Sequence, residues 1–209
     1  MLDFTKDTIL KSQPFLTETP QLTNFEDVRA PPGKEHYYLL ASLSSQLSNK
    51  TIIELGTHMG NSAYVLAYGN RALNNNNTII TYDIVNKPKP FLDKTIDYRI
   101  ANLFDSEVRE THKDILLMSD IIFIDIDPHE GILEYNMYLW LKENNYKGII
   151  LFDDIHLGPG HMGVKSGHSM QAFWDKIDPS HKIDLTHVGH WSGTGLVCFD
   201  AAKLSSVRI

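Results

Sequence analysis

The sequence predicts an α/β protein: a single domain built on a doubly wound, mostly parallel sheet. Three observations predict it. Short runs of Ile, Leu and Phe without polar alternation recur along the chain, as in parallel strands covered on both faces. Stretches with helical spacing separate most of these runs. The runs end on acidic or amide residues, the chemistry expected along the edge where an open α/β sheet binds its ligand.

The elements follow in order. Residues 1–32 have weak periodicity and close on Pro31 and Pro32, so they predict an N-terminal arm of short helices, with the main domain running over 33–209. Residues 34–47 carry Tyr38, Leu39, Leu43 and Leu47 at helical spacing. TIIEL (51–55) is the first strand and 61–73 a second helix, stopped by four asparagines at 74–77, which favour a helix end and a tight loop. TIITYD (78–83), DYRIANL (97–103), DIIFIDID (120–127) and GIILFDD (148–154) supply four more strands, with helices over 105–118 and 131–142. A glycine-rich loop (157–168) and a helix around 170–177 come next. The runs KIDLTHVGHW and TGLVCFD, split at Ser192 and Gly193, predict a C-terminal antiparallel hairpin.

Composition narrows the function. The chain has 209 residues, of which 42% are hydrophobic and 22% charged, enough apolar material for one sizeable core. A net charge of −7 argues against nucleic acid as a partner, because backbone binding needs clustered Lys and Arg. The single cysteine, Cys198, forbids an intrachain disulfide or a multi-cysteine metal site and reads as a buried, inert thiol. No run of about 20 apolar residues suggests a membrane span, and MLDFTKDTILKSQ lacks the apolar core of a signal peptide. A cytoplasmic location is the expectation. The oligomeric state stays open, a homo-oligomer included.

The strand ends locate the site. ELGTHMGNS (54–62) joins the first strand to a helix. Gly56 permits the tight turn and Gly60 the close approach of the helix N-terminus to a ligand. Asp83, at the end of the second strand, stands roughly 20 residues beyond the glycines, where an acid holds ribose hydroxyls. A dinucleotide fingerprint needs a glycine where this chain has His58, and Glu54 adds negative charge where a pyrophosphate would lie. A cofactor with ribose and adenine but no phosphate, and with positive charge, suits such a site. S-adenosylmethionine fits that description.

IIELGTHMGNSAYVLA resembles the first motif of class I S-adenosylmethionine-dependent methyltransferases, and is most similar to their metal-dependent O-methyltransferase branch. The resemblance runs from about Pro32 to Asp154 and implies a Rossmann-like methyltransferase fold. It implies that Glu54, Gly56, Thr57 and Gly60 lie along the methionine part of the cofactor, with Ser62 near its carboxylate. It also implies Asp83 on the ribose, Asn102 or Leu103 beside the adenine, and Asp125 at the cofactor's edge. Ser62 reads equally well as an ordinary hydroxyl in the first turn of a helix.

Like charges gather at the next two strand ends. FIDIDPHE (123–130) carries Asp125 and Asp127, and GIILFDDIH carries Asp153 and Asp154. The stretch between accommodates one helix and one strand, so Asp125, Asp153 and Asp154 can converge. A divalent cation between them would make three neighbouring carboxylates tolerable. An all-oxygen set favours Mg2+, with Mn2+ or Ca2+ as alternatives; the plain alternative is a turn cap with the remaining acids solvated. Methyl transfer to a hydroxyl gains from such an ion, which stabilises the oxyanion and orients it. Catechol-type enzymes place a lysine soon after the fourth-strand acid, where this chain has Pro128, His129 and Glu130. The Asp-x-Asp instead resembles the sugar and antibiotic O-methyltransferases. Candidates for proton removal are Asp125, Asp127, His129 and His156. His161 and His168 lie in the glycine-rich loop, which can close over the site or be plain solvated chain. His190 and Trp191 can line a substrate pocket or pack in the core. The reading is metal-assisted methyl transfer to a hydroxyl of a small sugar-like or natural-product-like molecule. Its rivals are a non-catalytic cofactor-binding module, a metal-dependent nucleotide-sugar glycosyltransferase and a dehydrogenase.

Overall fold

A computed structural model of the chain describes residues 1–11, 33–87, 93–160 and 168–209. Most of the expected N-terminal arm, residues 12–32, lies outside the described residues; what precedes it includes a short helix α1 (Lys6–Leu10), with Leu2, Phe4 and Ile9 buried in the core. The order then runs α2 (Gly33–Ser45), β1 (Thr51–Leu55), α3 (Asn61–Leu66), α4 (Tyr68–Leu73), β2 (Thr78–Asp83) and β3 (Ile96–Ile100). It continues with α5 (Ser106–Thr111), α6 (Lys113–Met118), β4 (Ile121–Ile124), α7 (Ile132–Glu143), β5 (Ile149–Asp153) and α8 (Met170–Lys176). A 3-10 turn (Pro179–His181), β6 (Lys182–Asp184), β7 (Thr194–Val197) and α9 (Ala201–Ser205) complete the chain.

The seven strands form one sheet in the order β3-β2-β1-β4-β5-β7-β6. β1 to β5 pair in parallel, and β7 is inserted antiparallel between β5 and β6. Strand order reverses between β1 and β4, which opens a ligand crevice beyond their C-terminal ends. Alternate strand residues feed two cores, as a pleat with a period of two requires. Ile52, Ile79, Phe123 and Leu151 pack with α2, α3 and α4, whereas Ile53, Ile80, Ile122 and Phe152 pack with α7 and α8. Each such fully buried side chain contributes roughly 1.5–3 kcal/mol, which is why uninterrupted apolar runs mark these strands.

Several boundaries differ from the sequence expectation. The helix over 61–73 breaks at Ala67, where the backbone leaves the helical region. The break brings Gly69 against α2: its N–H donates to Ser44 Oγ at 2.8 Å, and a Cβ there would meet the Ser44 carbonyl oxygen at 2.3 Å. The helix over 105–118 breaks at His112, just after Thr111 donates its hydroxyl to the Val108 carbonyl at 2.7 Å, a bond that competes with helix propagation. β4 stops at Ile124, so Asp125 and Asp127 sit in the loop beyond it. The C-terminal strands are short, joined by residues 185–193, and α9 follows them unanticipated.

Candidate active site

The turn after β1 shapes the site. Gly56 has φ +104°, and a Cβ at this position would lie 1.7 Å from the Asp125 carbonyl oxygen. Only glycine lets the β1 turn press against the β4 turn in this way. Gly60, at φ +86°, stands immediately before α3. The N–H groups of Gly56 and Thr57 both donate to the Tyr82 carbonyl, at 2.9 and 3.2 Å, tying the turn to β2. Asp83 then clamps it: one carboxylate oxygen accepts the His58 N–H at 2.7 Å and the other the Val85 N–H at 2.9 Å.

A cleft of about 640 Å3 opens here, lined among others by Gly56, His58, Asp83, Asn102, Leu103 and Asp125, a volume typical of a small-molecule or cofactor site. Five of the sequence-predicted cofactor residues therefore border one cavity. Glu54, Thr57, Gly60 and Ser62 do not line it; they are buried in the strand–helix turn behind it. Thr57 and Thr81 hydroxyls lie 2.5 Å apart, and Thr81 donates to the Glu54 carboxylate.

The acidic edge adjoins the cleft. The parallel register ends on Ile124 beside Phe152, so Asp125 and Asp153 follow on adjacent strands. The Asp125 carboxyl is raised well above the usual carboxylate range, first by burial and then by the charges of Asp153, Asp154, Glu54 and Asp127. Asp154 is raised by burial and by Asp153. Asp154 and His129 adopt left-handed backbone, φ +59° and +53°, which Asp and His tolerate better than most non-glycine residues. His129 is buried between two acids: Nδ1 lies 3.4 Å from Asp154 Oδ2 and Nε2 3.3 Å from Asp127 Oδ1. Asp127 itself faces solvent. His156 turns to Asp184, Nε2 to Oδ2 2.8 Å, rather than to the neighbouring acids. His161 lies outside the described residues, and His168 is exposed.

Two histidines complete the edge around Asp153. His190 Nε2 lies 2.7 Å from Asp153 Oδ1, and His36 Nδ1 lies 3.4 Å from the same oxygen. Among the described residues, His36, Asp153 and His190 are the acids and histidines whose ligand atoms all come within 4.8 Å of one another; Asp125 and Asp154 stand outside that group. Burial lowers His36 to about 4, leaving it neutral at pH 7. Burial works against ionisation of Asp153 as well, but the imidazoles outweigh it and hold the carboxyl below the ordinary range. The pKa of His190 is raised, because Asp153 and Asp154 outweigh its burial. His36 escaped the sequence reading, although it precedes Leu39, Leu40 and Leu43 on one helical face, spacing that marks a core-facing histidine.

The sheet order, with its reversed strand and glycine turn over the cleft, defines the class I fold of S-adenosylmethionine-dependent methyltransferases. Residues 53–155, just under half of the chain, match the family described as "Methyltransferase domain". Solved structures agree in fold. CalS11, a TDP-rhamnose 3′-O-methyltransferase in calicheamicin biosynthesis, superposes with TM-score 0.55 at 13% identity, covering 93% of this chain and 94% of that one. Cofactor-bound Rv0187 from MTB gives 0.52 at 17%, covering 91% and 88%. An O-methyltransferase from Bacillus cereus in complex with SAH gives 0.50 at 16%, covering 92% and 90%. At these identities the likeness is one of fold. No curated protein matches the chain in sequence. A methyltransferase domain leaves the dehydrogenase and glycosyltransferase readings without support.

Proposed function

We propose that the protein is an S-adenosylmethionine-dependent O-methyltransferase acting on a hydroxyl of a small sugar-like or natural-product-like molecule, assisted by a divalent cation at the acidic edge. The observation that carries this reading is the junction of cleft and edge: Asp125 lines the cavity, and its carboxyl feels Asp153 and Asp154. A cofactor pocket alone gives no reason to gather carboxylates at its mouth.

The residues present fit both groups. Asp83 would accept the ribose hydroxyls, and Asn102, Leu103, Ile84 and Val85 would border the adenine. Glu54, Thr57, Gly60 and Ser62 would act from behind, holding the turn in shape. Asp153, flanked by Asp125 and Asp154, would hold the cation. When bound, the cofactor supplies an activated methyl group and the cation supplies Lewis-acid stabilisation of an oxyanion. The chain's own residues then have to orient the hydroxyl and take its proton. His129 suits the second task, because imidazole is the commonest general base and two carboxylates hold its ring in place. His156 would have to leave Asp184 to take part. No helix among the described residues is long and apolar enough to cross a membrane, and the buried thiol of Cys198 suits the reducing cytoplasm.

The test is calorimetric titration with S-adenosylhomocysteine, followed by transfer of labelled methyl from S-adenosylmethionine to a panel of hydroxylated sugars and natural products, with and without a chelator. Cofactor binding with chelator-sensitive transfer supports the reading. Absence of S-adenosylhomocysteine binding overturns it; binding without transfer to any hydroxyl favours a non-catalytic module.

A further inference from the structure

We propose that His36, Asp153 and His190 are the ligands of this divalent cation, so that the site selects a nitrogen-binding borderline ion of the Zn2+ or Co2+ type over Mg2+ and Ca2+. The inference deepens the reading above and rests on it for the ion's purpose; the ligand set itself stands on the geometry below.

Asp153 Oδ1 lies 2.7 Å from His190 Nε2 and 3.4 Å from His36 Nδ1. Ligand bonds of about 2.0–2.2 Å at tetrahedral or octahedral angles place neighbouring ligand atoms about 2.9–3.5 Å apart. Small side-chain adjustments would therefore admit an ion among these three atoms. The three residues come from separate elements: His36 from α2, Asp153 from the end of β5 and His190 from the loop before β7. Packing against Phe123, the His36 ring meets the His190 ring edge-on, with centroids 4.9 Å apart.

The second observation is an unsatisfied atom. His36 Nδ1 is buried and has no hydrogen-bond partner, and its side chain is only 8% exposed. Buried polar atoms without partners are uncommon, and a bound ion is one of the recognised ways to satisfy one. This nitrogen points at Asp153, where a cation would use it.

The tautomer of His190 also suits a metal. Its Nδ1 lies 2.7 Å from Ser192 Oγ, so Nδ1–H can donate to the hydroxyl and leave the Nε2 lone pair facing Asp153. Ligating histidines are held by such an outer hydrogen bond. Two imidazoles and one carboxylate make three protein ligands, a set that favours transition ions, whereas Mg2+ and Ca2+ prefer all-oxygen surroundings. Asp125 and Asp154 would then be outer charges that draw the ion in rather than ligands.

The full chain, stripped with chelator, is titrated separately with CoCl2, ZnCl2 and MgCl2, following visible Co2+ absorption and binding heats. The variants are His36→Gln, His190→Gln, Ser192→Ala and Asp154→Asn, each checked by circular dichroism and by S-adenosylhomocysteine affinity. We expect Zn2+ to bind at least ~100-fold tighter than Mg2+. Each histidine variant should weaken Zn2+ by more than the roughly 10–100-fold lost with an outer group, and Ser192→Ala and Asp154→Asn by no more than that smaller amount. Should a histidine variant unfold, Ser192→Ala carries the test, since it keeps all three ligands. The proposal is overturned if neither Zn2+ nor Co2+ binds, if Mg2+ binds tighter, or if Asp154→Asn costs as much as the histidine changes. S-adenosylhomocysteine binding without Zn2+ binding refutes the ligand set alone; Zn2+ binding without S-adenosylhomocysteine binding refutes the methyltransferase reading alone.

Discussion

His190 Nε2 lies 2.7 Å from Asp153 Oδ1, while Thr194 donates its hydroxyl to the same oxygen at 3.4 Å. Asp153 is thus held by the loop and strand that follow it in sequence, on the sheet face covered by α2. Its isosteric replacement, Asp153→Asn, keeps the volume and removes the charge. Metal-stimulated methyl transfer should fall by at least ~100-fold in kcat/KM, with S-adenosylhomocysteine affinity nearly unchanged. Steady-state kinetics with and without added ion, beside calorimetry, checks both halves. A variant as active as wild type removes Asp153 from the chemistry.

Asp83 answers for the other half of the site. Its two oxygens already accept backbone N–H groups from His58 and Val85, which fixes the carboxylate at the rim of the cleft. Asp83→Ala should weaken S-adenosylhomocysteine binding by about 1–3 kcal/mol, the cost of unpaired hydroxyls. Titration of the variant measures it directly; an unchanged Kd takes the ribose role away from this residue.

The strands and the acidic line were legible because each follows from local chemistry. TIIEL and TIITYD are bounded in the sequence as they are in the fold, since a run buried on both faces tolerates no polar interruption. Asp83, Asp125 and Asp153 follow apolar runs, and strand order then brings their ends together. The two histidines beside Asp153 follow different rules. His36 is placed by the packing of α2 on the sheet, and His190 by a loop whose path depends on β7 entering between β5 and β6. Neither is encoded by a local motif. The break at Ala67 was hidden for the same reason: Gly69 needs contact with Ser44, a residue on another helix.

Gly56 offers a test of the fold rather than the chemistry. A methyl group at φ +104° would meet the Asp125 carbonyl at 1.7 Å, and the Ile126 side chain at 3.2 Å. Backbone, not a movable side chain, is the obstacle, so the β1 and β4 turns would have to part. Gly56→Ala should destabilise the protein by about 2–4 kcal/mol, lowering Tm by roughly 4–16 °C for a chain of this size. Thermal denaturation followed by circular dichroism reads the shift. A Tm within a degree or two of wild type would mean that the two turns are not held in contact.

Glu134 carries a pH dependence whose sign can be worked out. It lies in the first turn of α7, buried. Burial raises its carboxyl to about 7 from an ordinary 4.5, with the nearby His129 and local backbone hydrogen bonds opposing the rise. The folded state therefore binds this proton more tightly than the unfolded chain. Between the two values the unfolded chain has lost the proton and the folded protein retains it, so stability falls as pH rises. The contribution is fully present below about pH 4.5 and is lost as pH climbs through about 7, amounting to at most about 3 kcal/mol. Glu134→Gln keeps the shape and cannot ionise. Urea denaturation across this range should show a decline in wild type that the variant lacks, with the variant the more stable of the two above pH 7. Parallel pH profiles for both proteins would mean that Glu134 is ionised in the folded state, with its charge met by water or by His129.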